Sequence, residues 1–431
     1  MQCAKNMKFL QFSFFALLAT VPILPAANIG SWDLATIRIL VVGIYGCTAV
    51  LFLWKRTFPV PVHPVFWTAT GFLAVAGLSL FWAEAPAFAV RKFIFLAGFF
   101  PVLWLAAVWA ARARFFAAGI AFGGFMAALL AVFQAGLGFL FGGETVVAAI
   151  KNVAPFLWGN TTAEAVFQFP SFFVDVGGPI LRAFFPFSDP HTLSLFLGIA
   201  FFCTAGLLGS MSRTARPFAI FAMILMVAAI ILSFSRGGYA AVLVGFFVFA
   251  VLRWRNFSGH MRAMVFSVAL LLFVLFLFIA PFRDRFAASF DVNEGSFAAR
   301  LLLWQDTTTI FFKHPLLGVG LGGLAATLGP QLAFRIPTNA HNTYLEMASE
   351  LGIFGLMFWV GMLYAAFLAF VKQKTLLAHG FAASIAVFAA QSLVETTLYS
   401  PQVLFVFVVL AGFAAGTAQL SFYGNNRHHP A

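Results

Sequence analysis

Apolar runs long enough to cross a bilayer recur along almost the whole chain, and no other feature limits its fold so strongly. A helix needs about 20 apolar residues to span about 30 Å of hydrocarbon. Cutting the sequence where charge, proline or glycine clusters interrupt runs of that size yields twelve segments. They centre on residues 9–27, 37–54, 64–83, 93–111, 115–135, 191–209, 217–234, 237–252, 263–282, 346–370, 378–398 and 401–422. The chain therefore reads as an all-α polytopic membrane protein with about twelve transmembrane helices, solvated by the lipid bilayer. Charge content decides against a soluble enzyme: 9% of the 431 residues are charged, against about 25% in ordinary soluble domains.

Orientation follows from the basic residues, because loops rich in Lys and Arg stay in the cytoplasm. Lys5, Lys8, Lys55, Arg56, Arg112, Arg114, Arg213, Arg216, Arg253, Arg255, Arg262, Lys372, Lys374 and Arg427 fall on one side, with no Asp or Glu among them. All 13 carboxylates lie on the other side or near it. Both termini are expected in the cytoplasm, with the first apolar run a retained anchor. The net charge of +12 reads as topology signal and attraction to anionic headgroups, with no nucleic acid implied. The expected division places helices 1–5 in residues 1–136 and a first long external loop in 137–190. Helices 6–9 follow in 191–282, a second long external loop in 283–345, and helices 10–12 with a tail in 346–431. The cytoplasmic connections are short and no GxxxxGK[ST] pattern occurs, so any chemistry belongs outside, where long loops are usually functional.

The second loop has internal structure. Asn293 or Ser296 is placed to cap a helix running to about Phe312, carrying Arg300, Trp304 and Thr307 or Thr308 on one stripe. His314-Pro315 ends it, and the glycine-rich stretch Leu316–Gly323 permits a tight turn. A last helix is expected to begin near Asn342 and continue straight into the tenth span, with Glu346 in its first turn. Six arginines lie where the positive-inside rule does not ask for them: Arg182, Arg236, Arg283, Arg285, Arg300 and Arg335. Guanidinium groups bind phosphate through a planar fork, so such a cluster suits a diphosphate-linked lipid. The plainer reading is pairing or snorkelling, favoured for Arg283 and Arg285 around Asp284 and for a solvated Arg335. His341, in TNAHNTYLE, sits between two asparagines that would fix its ring. A neutral imidazole there would take a proton from a sugar hydroxyl; a structural role competes. Glu346 and Glu350 share one helix face and are expected to pair with loop arginines. Gln391 and Glu395 read as polar residues late in the eleventh span, functional or simply bridging helices. No DxD, HExxH or paired histidines appear outside, so no metal is expected.

The ordered set SFSRGGY at Ser233, RLLLW at Arg300, HPLLGVGLGG at His314 and NAHNTYLEMASELGIFGL at Asn339 resembles the O-antigen ligase family, which includes related Wzy-type polysaccharide polymerases. The resemblance covers about residues 180–370. It implies a bacterial inner-membrane protein of the GT-C-like class with a large periplasmic loop. Such proteins transfer a glycan from undecaprenyl diphosphate to a lipid, glycan or protein acceptor hydroxyl, without cofactor or metal. Matched by motif, Arg236 and Arg300 would bind the diphosphate and His341 would act as general base, the three forming the catalytic set. Arg182, Arg236, Arg300, Trp304 and Asn342 are the expected substrate-binding residues, and the family often has Asn where this chain has His191. The rival from another class is a lipid-linked glycan transporter or flippase, which broken helices and midplane polar sites would favour. Under the enzyme reading Glu395→Gln is expected to leave transfer largely intact.

Overall fold

The computed structural model describes residues 2–29, 32–54, 62–168, 171–175, 178–256, 295–328 and 339–426. The ninth expected span at 263–282, together with Arg283, Asp284, Arg285, Asn293 and Arg335, lies outside the described residues. The other eleven expected spans are helices. They are α1 (Gln2–Thr20), α2 (Thr36–Trp54), α3 (Pro64–Leu78), α4 (Pro86–Val108) and α5 (Ala113–Phe141), then after two further helices α8 (Pro190–Leu207), α9 (Ala215–Leu232) and α10 (Arg236–Arg253). After the glycine loop come α13 (Thr343–Val371), α14 (Leu376–Gln391) and α15 (Pro401–Asn426). Among the described residues seven helices are long and apolar enough to cross a membrane, and four more apolar helices are shorter. The protein is an all-α polytopic membrane protein.

Local chemistry sets the boundaries. Proline stands at the first turn of α3, α4, α8 and α15, where its missing N–H is not needed and its fixed φ suits a helix. Side-chain caps open the helices that matter most below: Asp189 on α8, Ser235 on α10, Asn342 on α13 and Thr375 on α14. α14 sits at the centre, packed against α8, α10 and α13, while α15 lies along α4. At Gly412 and Gly416 an added Cβ would meet the backbone of Leu103 and Ala107, the small-residue contact that lets membrane helices approach closely. Phe388 stacks on Phe407 with ring centres 4.2 Å apart, joining α14 to α15.

Two connections are more ordered than apolar runs foretell. After α5 the chain forms α6 (Gly143–Trp158), α7 (Asn160–Gln168) and an antiparallel hairpin, β3 (Phe173–Asp175) with β4 (Pro179–Leu181). These share a small core around Trp158, Phe172 and Phe184. An earlier hairpin, β1 (Ala26–Ile29) with β2 (Trp32–Ala35), joins α1 to α2. The helix expected in the second loop is α11 (Gly295–Lys313), ending one residue before His314 as Pro315 requires; α12 (Leu324–Leu328) follows the glycine stretch.

The last external helix does not run straight. α13 is broken at Gly352, with φ 65° and ψ −165°, because the backbone of Leu316 and Leu317 lies where any Cβ there would go. Ile353 N then donates to Pro315 O at 2.8 Å and Val319 N to Ser349 O at 2.9 Å. The glycine loop is thus wedged into a notch in α13.

Candidate functional site

The motif SFSRGGY folds as a tight turn between α9 and α10. Phe234 takes φ 48°, a region costly for a side chain, and Arg182 is buried beneath it at 4% exposure. Arg182 Nε donates to Ser233 O at 2.8 Å, Nη2 to Phe234 O at 3.4 Å and Nη1 to Ser171 O at 3.1 Å. Gln134 completes the strut: its Nε2 donates to Arg182 O at 3.1 Å and its Oε1 accepts from Phe184 N at 3.0 Å. Ser235 Oγ accepts from Gly238 N and starts α10, so Arg236 stands, half-buried, at the helix's first position. An added Cβ at Gly237 would meet Val394 at 2.7 Å, and one at Gly238 would collide with Ser194. The two glycines let the Arg236 backbone settle between α8 and the segment after α14. His191, in the first turn of α8, joins this turn through Nδ1···Oγ of Ser235 at 2.9 Å. Its carbonyl accepts from Gln391 Nε2 at 2.8 Å, so Gln391 bridges two helices.

His341 forms the second centre. It precedes the Asn342 cap, whose Oδ1 accepts from Tyr344 N and Leu345 N, and it too has φ 48°. Phe234 and His341 are the non-glycine residues with positive φ among the described residues. Such strain persists where surroundings over-determine the backbone, and here they do. Ala340 O accepts from Trp304 Nε1 at 2.9 Å, and Ala340 N donates to Glu346 Oε2 at 3.0 Å. The peptide before His341 is held from both sides.

The His341 ring meets Glu395, with Nδ1 2.7 Å from Oε1. Burial alone would raise the Glu395 carboxyl's pKa, but the His341 ring and the Arg300 guanidinium outweigh it and hold it well below the usual carboxylate range. An ionised carboxylate only accepts, so the hydrogen of this bond is carried by Nδ1. Arg300 completes the group: Nη1 donates to Val394 O at 2.9 Å and Nη2 approaches Glu395 Oε2 at 3.4 Å. These side chains remain partly open, at 35% exposure for His341, 24% for Arg300 and 20% for Glu395. Thr343 fixes the carboxylate's backbone. Its Oγ1 donates to Glu395 O at 3.0 Å and accepts from Thr397 N at 3.1 Å, while Thr343 N donates to Ser392 O at 2.8 Å.

Two expectations are corrected. Glu395 is not inside a span: α14 ends at Gln391, the chain turns, and the carboxylate points at His341 and Arg300. Among the described residues Glu346 and Glu350 pair with no loop arginine. They hold Lys92 of α4, at 3.1 and 2.9 Å, in a buried group beneath the His341 turn. Lys92 Nζ also lies 4.2 Å from the centre of the Tyr399 ring. Among the described residues no group of three His, Cys, Asp or Glu side chains is placed to hold a metal ion.

Of the residues picked from sequence, Arg300 and His341 meet through one carboxylate. Gly237, the neighbour of Arg236, packs against the side chain of Val394, the residue whose carbonyl takes Arg300. Arg182, Trp304 and Asn342 direct the polar groups described above at backbone, under the turn, at Ala340 and at the α13 start. Lys92, Gln134 and the role of Glu395 escaped sequence reasoning. A lysine in the second turn of an apolar span on the acidic side was the one available signal for Lys92.

Residues 221–360 match the family model described as O-antigen ligase. This segment is similar to the O-antigen ligase family. No curated protein matches the chain. The O-antigen ligase match takes in Arg236, Arg300, Trp304, His341 and Asn342 and stops short of Arg182, His191, Lys92 and Glu395. The carboxylate that bonds His341 is therefore brought to the O-antigen ligase segment by the fold, from 54 residues further along the chain.

Proposed function

We propose that this membrane protein transfers a glycan from undecaprenyl diphosphate to an acceptor hydroxyl, in the manner of an O-antigen ligase, at the periplasmic face of a bacterial inner membrane. Both termini would be cytoplasmic. The acceptor is a lipid, glycan or protein. His341 Nε2 removes the hydroxyl proton as the oxygen attacks the anomeric carbon, and the bond from that carbon to the diphosphate oxygen breaks. Undecaprenyl diphosphate leaves with the bonding pair, and Arg236 and Arg300 stabilise the charge that grows on it. Base catalysis of this kind typically contributes about 10² to 10⁴ in rate. No metal enters the scheme.

The observation that carries the reading is the His341–Glu395 pair with the Arg300 guanidinium beside it: a base oriented by a carboxylate, next to a phosphate-binding fork. A Wzy-type polymerase would use the same residues with a growing glycan as acceptor. A transporter of lipid-linked glycans is the other class. The Glu395→Gln test no longer separates it from the enzyme, because Glu395 belongs to the base.

The deciding experiment reconstitutes purified protein with undecaprenyl-diphosphate-linked glycan and candidate acceptors, with and without chelator. Transfer should resist chelator, and Arg236→Ala, Arg300→Ala and His341→Ala should each abolish it while membrane insertion is retained. Glycan crossing the bilayer without any bond to acceptor would sink the enzyme reading.

A further inference from the structure

Glu395 has two oxygens with different partners, and the difference in their contacts is informative. Oε1 is tight on His341 Nδ1 at 2.7 Å; Oε2 is only loosely met by Arg300 Nη2 at 3.4 Å. The Arg300 guanidinium spends one good hydrogen bond on the Val394 carbonyl. It has five N–H donors, and among the described residues most of them are uncommitted. Glu395 is also within electrostatic reach of His191, and His191 within reach of Arg182, Arg300 and His341. Thr343 and Ser392 fix the backbone on which the carboxylate rides.

Resting on the reading above, we infer that Glu395 is a positioning residue with a second duty. It orients His341 and, before donor arrives, serves as the stand-in anion for Arg300, which the donor diphosphate displaces. A diphosphate brings more negative charge than one carboxylate and matches the fork bidentately, so exchange at a 3.4 Å contact is favourable. The exchange costs Glu395 nothing at Oε1. Once Arg300 has turned to the donor, the full carboxylate charge faces the imidazolium that forms as the acceptor proton is taken, and the base is stabilised most when donor is bound. Donor binding and base catalysis are then coupled through one side chain.

The coupling predicts effects of opposite sign in one variant. Glu395→Gln removes the competing charge and the oriented acceptor together. Undecaprenyl diphosphate should bind several-fold tighter, while turnover falls about 10² to 10³-fold. Weaker or unchanged binding in Glu395→Gln, or unchanged turnover, would each overturn the inference.

A readout on the unmodified protein covers the case in which Glu395→Gln fails to fold. ¹⁵N-histidine NMR in nanodiscs, with the His341 signal assigned by its loss in His341→Ala, should show a hydrogen-bonded Nδ1–H. A ring protonated at Nε2 alone overturns the inference. Binding and tautomer are read without glycan transfer, so inactivity of the unmodified protein would reject the enzyme reading and leave these two tests to decide on Glu395.

Discussion

The indole N–H of Trp304 donates to the carbonyl of Ala340 across 2.9 Å, and Arg300, one turn earlier on the same helix, reaches Val394 and Glu395. One face of α11 therefore holds both the peptide before His341 and the segment that carries Glu395. The RLLLW motif reads from this geometry as a spacer, placing a guanidinium and an indole four residues apart on one helix face.

Trp304→Phe should keep the ring's packing and lose the N–H, leaving the Ala340 carbonyl unpaired. A buried acceptor without a partner costs about 1 to 3 kcal/mol. The expected result is a lower unfolding temperature in detergent together with slower transfer, and donor affinity close to that of the unmodified protein. A change in donor affinity alone would show that Trp304 binds substrate instead.

His341 carries a left-handed backbone as well as the reactive ring. Glycine adopts that conformation without the penalty of about 1 to 2 kcal/mol that a side chain meets there. His341→Gly should accordingly unfold at a higher temperature than His341→Ala, although neither transfers glycan. Equal stabilities would mean that the strain is relieved by local movement.

Lys92 is the cation on two buried carboxylates. Removing one partner of a buried ion pair typically costs about 3 to 5 kcal/mol, so Lys92→Met should fall sharply in yield and thermal stability. Lys92→Met combined with Glu350→Gln should recover part of the loss, because less uncompensated charge is then buried. Full activity and stability in Lys92→Met would contradict the arrangement.

Glu395 is held below the ordinary carboxyl value of 4.5. A depressed folded-state pKa contributes stability that is complete above the unfolded value and is lost as pH falls through the folded one. The infrared band of a protonated carboxyl, taken as the difference between the unmodified protein and Glu395→Gln, should be absent at neutral pH and still absent at pH 4.5. Its appearance at higher pH would show that His341 and Arg300 do not hold the charge.

Much was legible beforehand. Eleven apolar helices, the helix ending before His314 and the helix start near Asn342 follow from run length, proline and end-of-helix chemistry, all of which act within a few residues. The break at Gly352 was not legible, because nothing local forbids a straight helix through ELGIFG; the intruding backbone of Leu316 decides it. In sequence Arg182 reads as an external arginine suited to phosphate. That its buried guanidinium supports a strained turn 51 and 52 residues away is visible only in the structure.

By itself the sequence determined where the apolar helices of the described residues run, because hydrocarbon thickness and backbone hydrogen bonding constrain every apolar segment independently of its neighbours. Only the tertiary structure decided which charges meet. Lys92 lies 254 and 258 residues from its carboxylates and His341 lies 54 residues from Glu395, and contacts at such separations exist only once helices have packed. A carboxylate at the end of an apolar run looks the same in sequence whether it bridges two helices or orients a base. The turn after Gln391, held by Thr343, sets Glu395 beside His341.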